Sequence, residues 1–234
     1  MDDGADGPTP FAQAPARAPG LDAAERRHPG GDEATRLRIR AEARRLFERY
    51  GYAKTTIGEI AEVCAMSPGN LYRYYLNKQA IGHAVVEEFV QEHGEAVQAA
   101  LEAPADSVEA RLRATMTAQV MYSVRLLREA PKLIELAEMI FSSAEGREMI
   151  ERLEGEHQLM MEALMRAGAE AGEFASGCEA AAGRATTLCL QFFNMPFGLV
   201  RHGLDRVEID LALALDLICA GLRQGLAPPG AGCE

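Results

Sequence analysis

Residues 55–78 read TTIGEIAEVCAMSPGNLYRYYLNK, and the spacing within this stretch decides the fold. Thr56-Ile57-Gly58-Glu59 is a capping box: a Thr hydroxyl and a Glu carboxylate reciprocally satisfy the free N–H groups that open a helix. Ile57, Ile60, Ala61 and Cys64 follow at i, i+3, i+4 and i+7, the buried face of a two-turn helix. Ala65-Met66 makes a tight turn. Ser67-Pro68 then supplies an N-cap hydroxyl and a Pro at N1, where the missing N–H costs nothing. Leu71 and Tyr75, four apart, bury a third helix and leave Gly69, Asn70, Arg73 and Tyr74 outward.

Upstream, Ile39, Ala43, Leu46, Phe47 and Tyr50 recur at steps of three and four from Asp32 onward, with Arg36, Arg40 and Arg44 on another face and Gly51 as the stop. Three short helices with a tight turn before the last form a helix-turn-helix unit, which offers its final helix to the DNA major groove. An ordinary αα-turn inside a bundle is the alternative, and the outward face argues against it. Asn70 and Arg73 are base-edge readers by geometry, Tyr72, Tyr74 and Lys78 are phosphate hydrogen-bonders, and Gly69 lets the backbone come close. A merely solvated helix carries Glu and Lys there more often than Tyr, Asn and Gly.

Charge divides the chain the same way. Residues 35–80 hold nine basic and four acidic side chains, a net +5, while the remainder of the −11 chain carries −16. A basic block on an acidic body fits a polyanion-binding module joined to something that does not bind polyanions.

The run Thr55-Thr56-Ile57-x-x-Ile60-Ala61, then Met66-Ser67-Pro68-Gly69-Asn70-Leu71-Tyr72-Arg73-Tyr74-Tyr75-Leu76-Asn77-Lys78, resembles the DNA-binding domain of the TetR family of bacterial repressors. The resemblance covers Thr35 to about Phe89, roughly a quarter of the chain. It implies that Tyr72, Tyr74 and Lys78 hold phosphates, that Ser67, Pro68, Gly69, Asn70 and Arg73 face bases, and that Thr55 and Thr56 clamp another phosphate through side chain and N–H. Two departures are Tyr74, where the family usually has His, and Met66, where Val is commoner.

Residues 1–31 hold five Pro, five Gly and seven Ala without apolar periodicity and are expected to be a disordered tail, as are 227–234. Between them the pattern stays helical. Asn77 caps a fourth helix carrying Ile81, Val85 and Phe89 and reaching about Leu101. Asp106-Ser107-x-Glu109 opens another that ends before Pro131, and a short helix follows through Leu133, Leu136 and Ile140. Ser142-Ser143-Ala144-Glu145 is expected to box the start of a helix reaching about Gly172. The next runs from Ser176 to about Asn194, where Pro196 and Gly198 bend or end it, and Asp205-x-x-Glu208 is expected to cap the last, to Gly225. The last helix is apolar on two stripes, Leu211, Leu215, Ile218, Leu222 and Ile209, Leu213, Leu217, Ala220, so it needs cover on two sides. With the helix of Leu188, Leu190, Phe192 and Phe193 beside it, the expected partner is a second copy, through the last two long helices; a monomer whose own helices cover both stripes is the alternative. The family resemblance implies the second copy.

Eight of ten Met lie in this larger part, namely Met116, Met121, Met139, Met149, Met160, Met161, Met165 and Met195, with Phe141, Phe174, Phe192, Phe193 and Phe197 nearby in sequence. Met is flexible and polarizable, which suits a cavity that adapts to apolar ligands, although Met and Phe at helical spacing also build plain cores. Mostly on the resemblance, a small-molecule effector is expected, with Met116, Met121, Met139, Met161, Met165 and Phe192 as candidate contacts.

Enzyme signals are poor. His83, His93, His157 and His202 form no paired metal motif; Glu154-x-x-His157 is a single spacing that reads as a surface pair. No Gly-rich phosphate loop or nucleophile elbow occurs. Five scattered Cys (Cys64, Cys178, Cys189, Cys219, Cys233) imply neither a disulfide framework nor zinc. No signal pattern or membrane span is evident, so a cytoplasmic bacterial protein without cofactor is expected. The expected fold is all-α, about nine helices: a helix-turn-helix DNA-binding domain at 32–80 and a larger helical ligand-binding and dimerisation domain at 81–226. The expected function is a homodimeric repressor that binds a pseudo-palindromic operator in double-stranded DNA. A small, mainly apolar ligand releases it, with the fourth helix as mechanical link. The alternatives are an architectural or interaction protein, or a helical metal-binding enzyme with a vestigial helix-turn-helix.

Overall fold

The computed structural model describes residues 32–177, 179–194, 198–200 and 203–225, which form helices joined by turns, with no strand among them. The two tails, the bend at Pro196, and Met195, Phe197, Cys178, Cys233 and His202 lie outside the described residues. The long elements are α1 (Glu33–Tyr50), α2 (Ile57–Val63), α3 (Pro68–Leu71), α4 (Lys78–Glu102), α5 (Val108–Glu129), α6 (Leu133–Phe141), α7 (Ala144–Glu170), α8 (Glu179–Asn194) and α9 (Val207–Gln224). No helix among the described residues is long and apolar enough to cross a membrane.

Local chemistry sets most boundaries as expected. Asp32 caps α1 by accepting the Thr35 N–H, and Gly51 ends it at φ +89°, a left-handed conformation that favours glycine. Asn77 Oδ1 accepts the Ala80 N–H at 2.8 Å to start α4, and Ser107 caps α5. Two caps differ from expectation. Ser143, not Ser142, starts α7, because the Ser142 hydroxyl turns back to the Glu138 carbonyl. Arg206 precedes α9 as its N-cap residue without a side-chain cap bond, and Asp205 lies 3.8 Å from Arg128 instead.

The buried side chains gather in two clusters. The first joins Ile39, Phe47, Ile60, Leu71, Ile81 and Val85 to Leu133, Leu136 and Ile140 of α6 and Met149 of α7. The second holds Leu112, Met116 and Val120 of α5, Met161, Leu164 and Met165 of α7, and Leu211, Leu215 and Cys219 of α9. The division expected at 80/81 therefore falls inside the first cluster: α6, which begins at Leu133, packs with the helix-turn-helix, whose last helix ends at Leu71. Closeness at Gly82 permits this, since a Cβ there would stand 2.9 Å from Leu136 Cδ1 and 3.2 Å from the Tyr52 ring. Lys132, just before α6, donates at 2.5 Å to the Arg49 carbonyl near the end of α1.

Helix α1 is also tied to α4 by charge. Arg44 meets Glu92 at 2.5 Å, Glu48 at 3.0 Å and Glu88 at 3.6 Å, and its guanidinium lies 4.2 Å over the Phe89 ring; Arg40 meets Glu88 at 3.5 Å. Burial alone would disfavour the Arg44 charge, but the carboxylates outweigh it and hold Arg44 firmly protonated. The same contact keeps the Glu92 carboxyl below its usual range. Part of the basic face read from the sequence is thus spent inside the molecule.

At the far end, α5 and α9 meet through Arg113, which bridges Glu109 at 3.0 Å and Asp216 at 2.7 Å, while Arg223 also pairs with Glu109. Glu173 accepts from the Val108 and Glu109 N–H groups, completing the α5 cap. An open cleft of about 530 Å³ lies over this seam. Its charges are matched to one another, which suits an internal tie rather than a ligand site.

Candidate nucleic-acid interface

The capping box read at Thr56 is present in full. Thr56 Oγ1 accepts the Glu59 N–H at 3.2 Å, while the Thr56 N–H and hydroxyl donate to Glu59 Oε2 at 2.7 and 2.8 Å. Those bonds hold the Glu59 carboxyl below its usual range. The chain then turns through Ala65 at φ +51°, a left-handed conformation costing an L-residue about 1 kcal/mol. Ser67 Oγ accepts the Asn70 N–H at 3.2 Å, and Pro68 takes the first position of α3. Leu71 and Tyr75 are buried against Ile39, Phe47 and Ile60, so the one-turn helix has a single possible orientation.

That orientation exposes Ser67, Pro68, Gly69, Tyr72 and Arg73, with Asn70 and Tyr74 half-buried at the edge. These seven candidates lie on and around α3. Their chemistry is that of groove recognition: a guanidinium and a carboxamide suited to base edges, two phenols suited to phosphates, and a glycine where backbone can approach.

Three other candidates sit differently. Thr55 is buried and donates its hydroxyl to the Gly51 carbonyl at 2.9 Å, so it fixes the loop from within and is closed to a phosphate. Thr56 is exposed, but its hydroxyl and N–H are both committed to Glu59. Lys78 Nζ donates to the carbonyls of Tyr52 and Thr55 at 3.0 and 2.9 Å and lies 4.2 Å from the Tyr52 ring centre. Burial lowers its pKa, partly opposed by Glu59. Lys78 therefore clips the 51–56 loop to the start of α4. The expectation that Thr55 and Thr56 clamp a phosphate is corrected because the Gly51 carbonyl and the Glu59 carboxylate already use their donors, whereas Lys78 spends two of its three N–H donors on carbonyls and keeps one. Lys54, exposed beside this loop, is a cation the site reading missed although it lies in the basic block.

The six ligand candidates do not line one space. Met116, Met161 and Met165 are packed in the second core, and Met121 lies at its margin. Met139 belongs to the first core, beside Gly82. Phe192 is 39% exposed on α8 and stacks edge-on with Phe193. These side chains act as packing in this conformation. His157 also departs from the surface reading: Glu154 is exposed, but His157 is half-buried with its Nε2 enclosed, and burial, with the nearby charge of His93, lowers its pKa to about 4.

Comparison with known proteins agrees with this geometry. Residues 39–85 match the family described as "Bacterial regulatory proteins, tetR family". Over 54 residues the chain is 35% identical to the HTH-type transcriptional regulator UidR of Escherichia coli K12, a segment covering 23% of this chain and 28% of that relative. Over longer spans, it is similar to a tetR-family regulatory protein from Rhodococcus RHA1 (25% identity, TM-score 0.56, 84% of this chain and 100% of that one). It shares its fold with SmeT, the repressor of the Stenotrophomonas maltophilia multidrug efflux pump SmeDEF (24% identity, TM-score 0.58, 85% and 96%). The family consists of transcriptional regulators rather than enzymes. The matched N-terminal segment and the capped turn that presents α3 mark residues 39–85 as the DNA-binding segment of the tetR family of bacterial regulatory proteins, and the chain as a whole is similar to a tetR-family regulator spanned end to end.

Proposed function

We propose that the chain is a homodimeric transcriptional repressor that reads a pseudo-palindromic operator through α3 and is released by a small, mainly apolar ligand. The observation that carries this reading is the surface of Ser67, Gly69, Asn70, Tyr72 and Arg73, held outward by a fully apolar core beneath. In this reading Asn70 and Arg73 contact base edges, Tyr72 and Tyr74 contact phosphates, and Lys78 supports the interface chiefly by fixing the loop that ends at Thr56.

Dimerisation is supported by α8 and α9, which pack together and leave a shared apolar face uncovered. Leu188 is 62% exposed, Ile209 60%, Leu213 57% and Leu217 77%, with Phe192 alongside, while Leu211, Leu215 and Cys219 of the same helix are buried. Such a contiguous apolar face on a soluble chain marks an association surface, and a second copy covers it symmetrically. Paired recognition helices then sit about one DNA turn apart, or a multiple of it. The helical body divides the labour: residues 32–80 face DNA, and 81–226 bind effector and partner. SmeT has been solved in complex with triclosan, a precedent in a neighbour for a small, largely apolar ligand. A ligand lowers operator affinity only by as much as it discriminates between two conformations, and α4, which runs from the loop clip to the second core, is the element placed to carry that difference.

The test is a DNA-selection profile of wild type beside two variants. Arg73→Ala is expected to relax preference at one or two positions per half-site, at about 1–3 kcal/mol per lost base contact. Lys78→Met is expected to weaken all sequences alike. Equal loss at every sequence for Arg73→Ala overturns the assignment of α3 as the reader.

A further inference from the structure

Glu92 of α4 stands where three helices meet. Arg44 of α1 donates to both of its oxygens, to Oε1 at 2.5 Å and to Oε2 at 3.3 Å, and the Tyr122 hydroxyl of α5 donates to Oε2 at 2.8 Å. One carboxylate therefore joins the DNA-binding unit to two helices of the body. Burial and the Glu92 charge push the Tyr122 phenol above its usual range, which keeps the hydroxyl a donor. The ring is held by other groups: His93 stands edge-on at 5.4 Å, and the Arg125 guanidinium lies 5.5 Å from its centre. Farther along α5, Arg113 donates to Asp216 of α9 at 2.7 Å, and α9 carries the uncovered apolar face at Ile209, Leu213 and Leu217. Directional contacts thus run from α1 to α5 and from α5 to α9. The apolar contacts around Glu92 do not set an angle. Phe47, Val85, Phe89 and Leu136 hold α1, α4 and α6 together, but hydrophobic contact is non-directional. A bidentate guanidinium–carboxylate pair and a charged hydrogen bond weaken steeply when bent. Lys78, which opens α4 just after the α3 surface, stands about 21 Å of helix rise before Glu92. A tilt of about 10° at Glu92 moves that end by about 4 Å, close to the rise of about 3.4 Å per base pair.

We propose that Tyr122 and Glu92 are specificity-determining residues for the spacing of operator half-sites, because they fix the tilt of α1 against α4 and α5. The inference rests on the reading of the chain as a dimer that binds paired half-sites, and it assigns one part of that specificity to residues far from the bases. Tyr122 is a positioning residue: it acts through Glu92 and Arg44, while α3 reads the sequence within each half-site. One base pair added between half-sites turns the second by about 35° around the duplex. A dimer whose joint is fixed rejects that geometry, and one whose joint is loose follows it.

The experiment compares the full chain with two variants. Tyr122→Phe keeps the ring against His93 and Arg125 and removes only the hydroxyl; Glu92→Gln keeps the shape of the carboxylate and removes its charge. Half-sites selected by wild type are placed in duplexes whose separation changes by one base pair at a time, and the affinity of each duplex is measured. Wild type is expected to favour one spacing over its neighbours by about tenfold or more, since wrongly spaced half-sites cannot be bound together. Tyr122→Phe is expected to reduce that preference to about threefold, with the half-site sequence and the affinity for a single half-site unchanged. Glu92→Gln should flatten the profile at least as far, and adding Tyr122→Phe to it should change little more, because the two side chains act as one unit. Circular dichroism checks that each variant is folded. Equal loss of affinity at every spacing, the result of a merely structural role, overturns the proposal. A sharp wild-type spacing that both variants keep contradicts the proposal alone, whereas a wild type that selects no paired half-sites contradicts the dimeric-regulator reading and the proposal with it.

Discussion

The helix-turn-helix end and the body between α4, α5 and α7 place their polar groups in opposite ways. Around α1 to α3 the core is apolar, and the polar side chains cap a neighbouring turn, tie α1 to α4 as Arg44 does, or face outward, as Tyr72 and Arg73 do. In the body, Thr115, Gln119, Tyr122 and His93 are drawn inward, and the outward face of α8 and α9 is apolar. A surface that carries its chemistry outside is suited to a large external partner. Of these interior groups the Tyr122 hydroxyl and the His93 ring are paired, while the Thr115 hydroxyl is enclosed without a partner. In the function proposed above, DNA meets the first region and the effector the second, with Glu92 and Arg44 at the boundary.

That contrast can be broken at three points, taken from the largest effect to the smallest. Placing Glu at Leu213 and Leu217 sets charges on the uncovered face of α9. The double variant is expected to sediment as a folded monomer and to lose operator affinity by about 100-fold or more, because two half-sites are no longer bound as one unit. A monomer with full operator affinity would remove the symmetry from the account.

The inward histidine gives the next effect. His157 protonates near pH 6.5 when unfolded but only near pH 4 in the folded chain, because burial and then His93 oppose its charge. Between those values the unfolded state binds more protons, so stability falls as pH falls and is unaffected by this group above about 6.5. The loss attributable to His157 is at most about 3 kcal/mol by pH 4. Urea midpoints measured from pH 7 to 4 should therefore decline less steeply in His157→Leu than in wild type; parallel profiles would show that the imidazole is solvated.

The smallest effect lies in the turn that aims α3. Ala65→Gly relieves a left-handed alanine at the cost of a more flexible unfolded chain, for a net gain of about 0.5 kcal/mol. Thermal unfolding checks the sign, and an unchanged DNA-selection profile is expected because Gly adopts the same turn.

The helix-turn-helix was legible because its geometry is set by residues three or four apart. Thr56 and Glu59, Ser67 and Asn70, and Leu71 and Tyr75 each define a contact within one helical turn, and all are found in place. The roles of Thr55 and Lys78 were not legible, since both depend on which carbonyls the 51–56 loop offers after folding. The body was harder still. The apolar period located its helices, but it could not distinguish Met139, which packs under the DNA-binding unit, from Met161, which packs in the other core. Nor could it foresee that α6 joins the first cluster or that His157 is drawn into the body, because those placements depend on residues far apart in sequence. The buried polar stripe of α5 was present in the sequence as Thr115, Gln119 and Tyr122, and a scan for polar residues on an otherwise apolar helix face would have found it.

The most direct test of the account is selection of bound duplexes from a random library by the purified full chain at about 0.15 M salt, where non-specific binding is suppressed, followed by sequencing. The expected result is an enriched pseudo-palindrome with half-sites spaced by about one helical turn or a multiple of it, read by α3 of each subunit. Retention of duplexes that share no sequence would contradict it and leave a protein that holds DNA by its backbone alone.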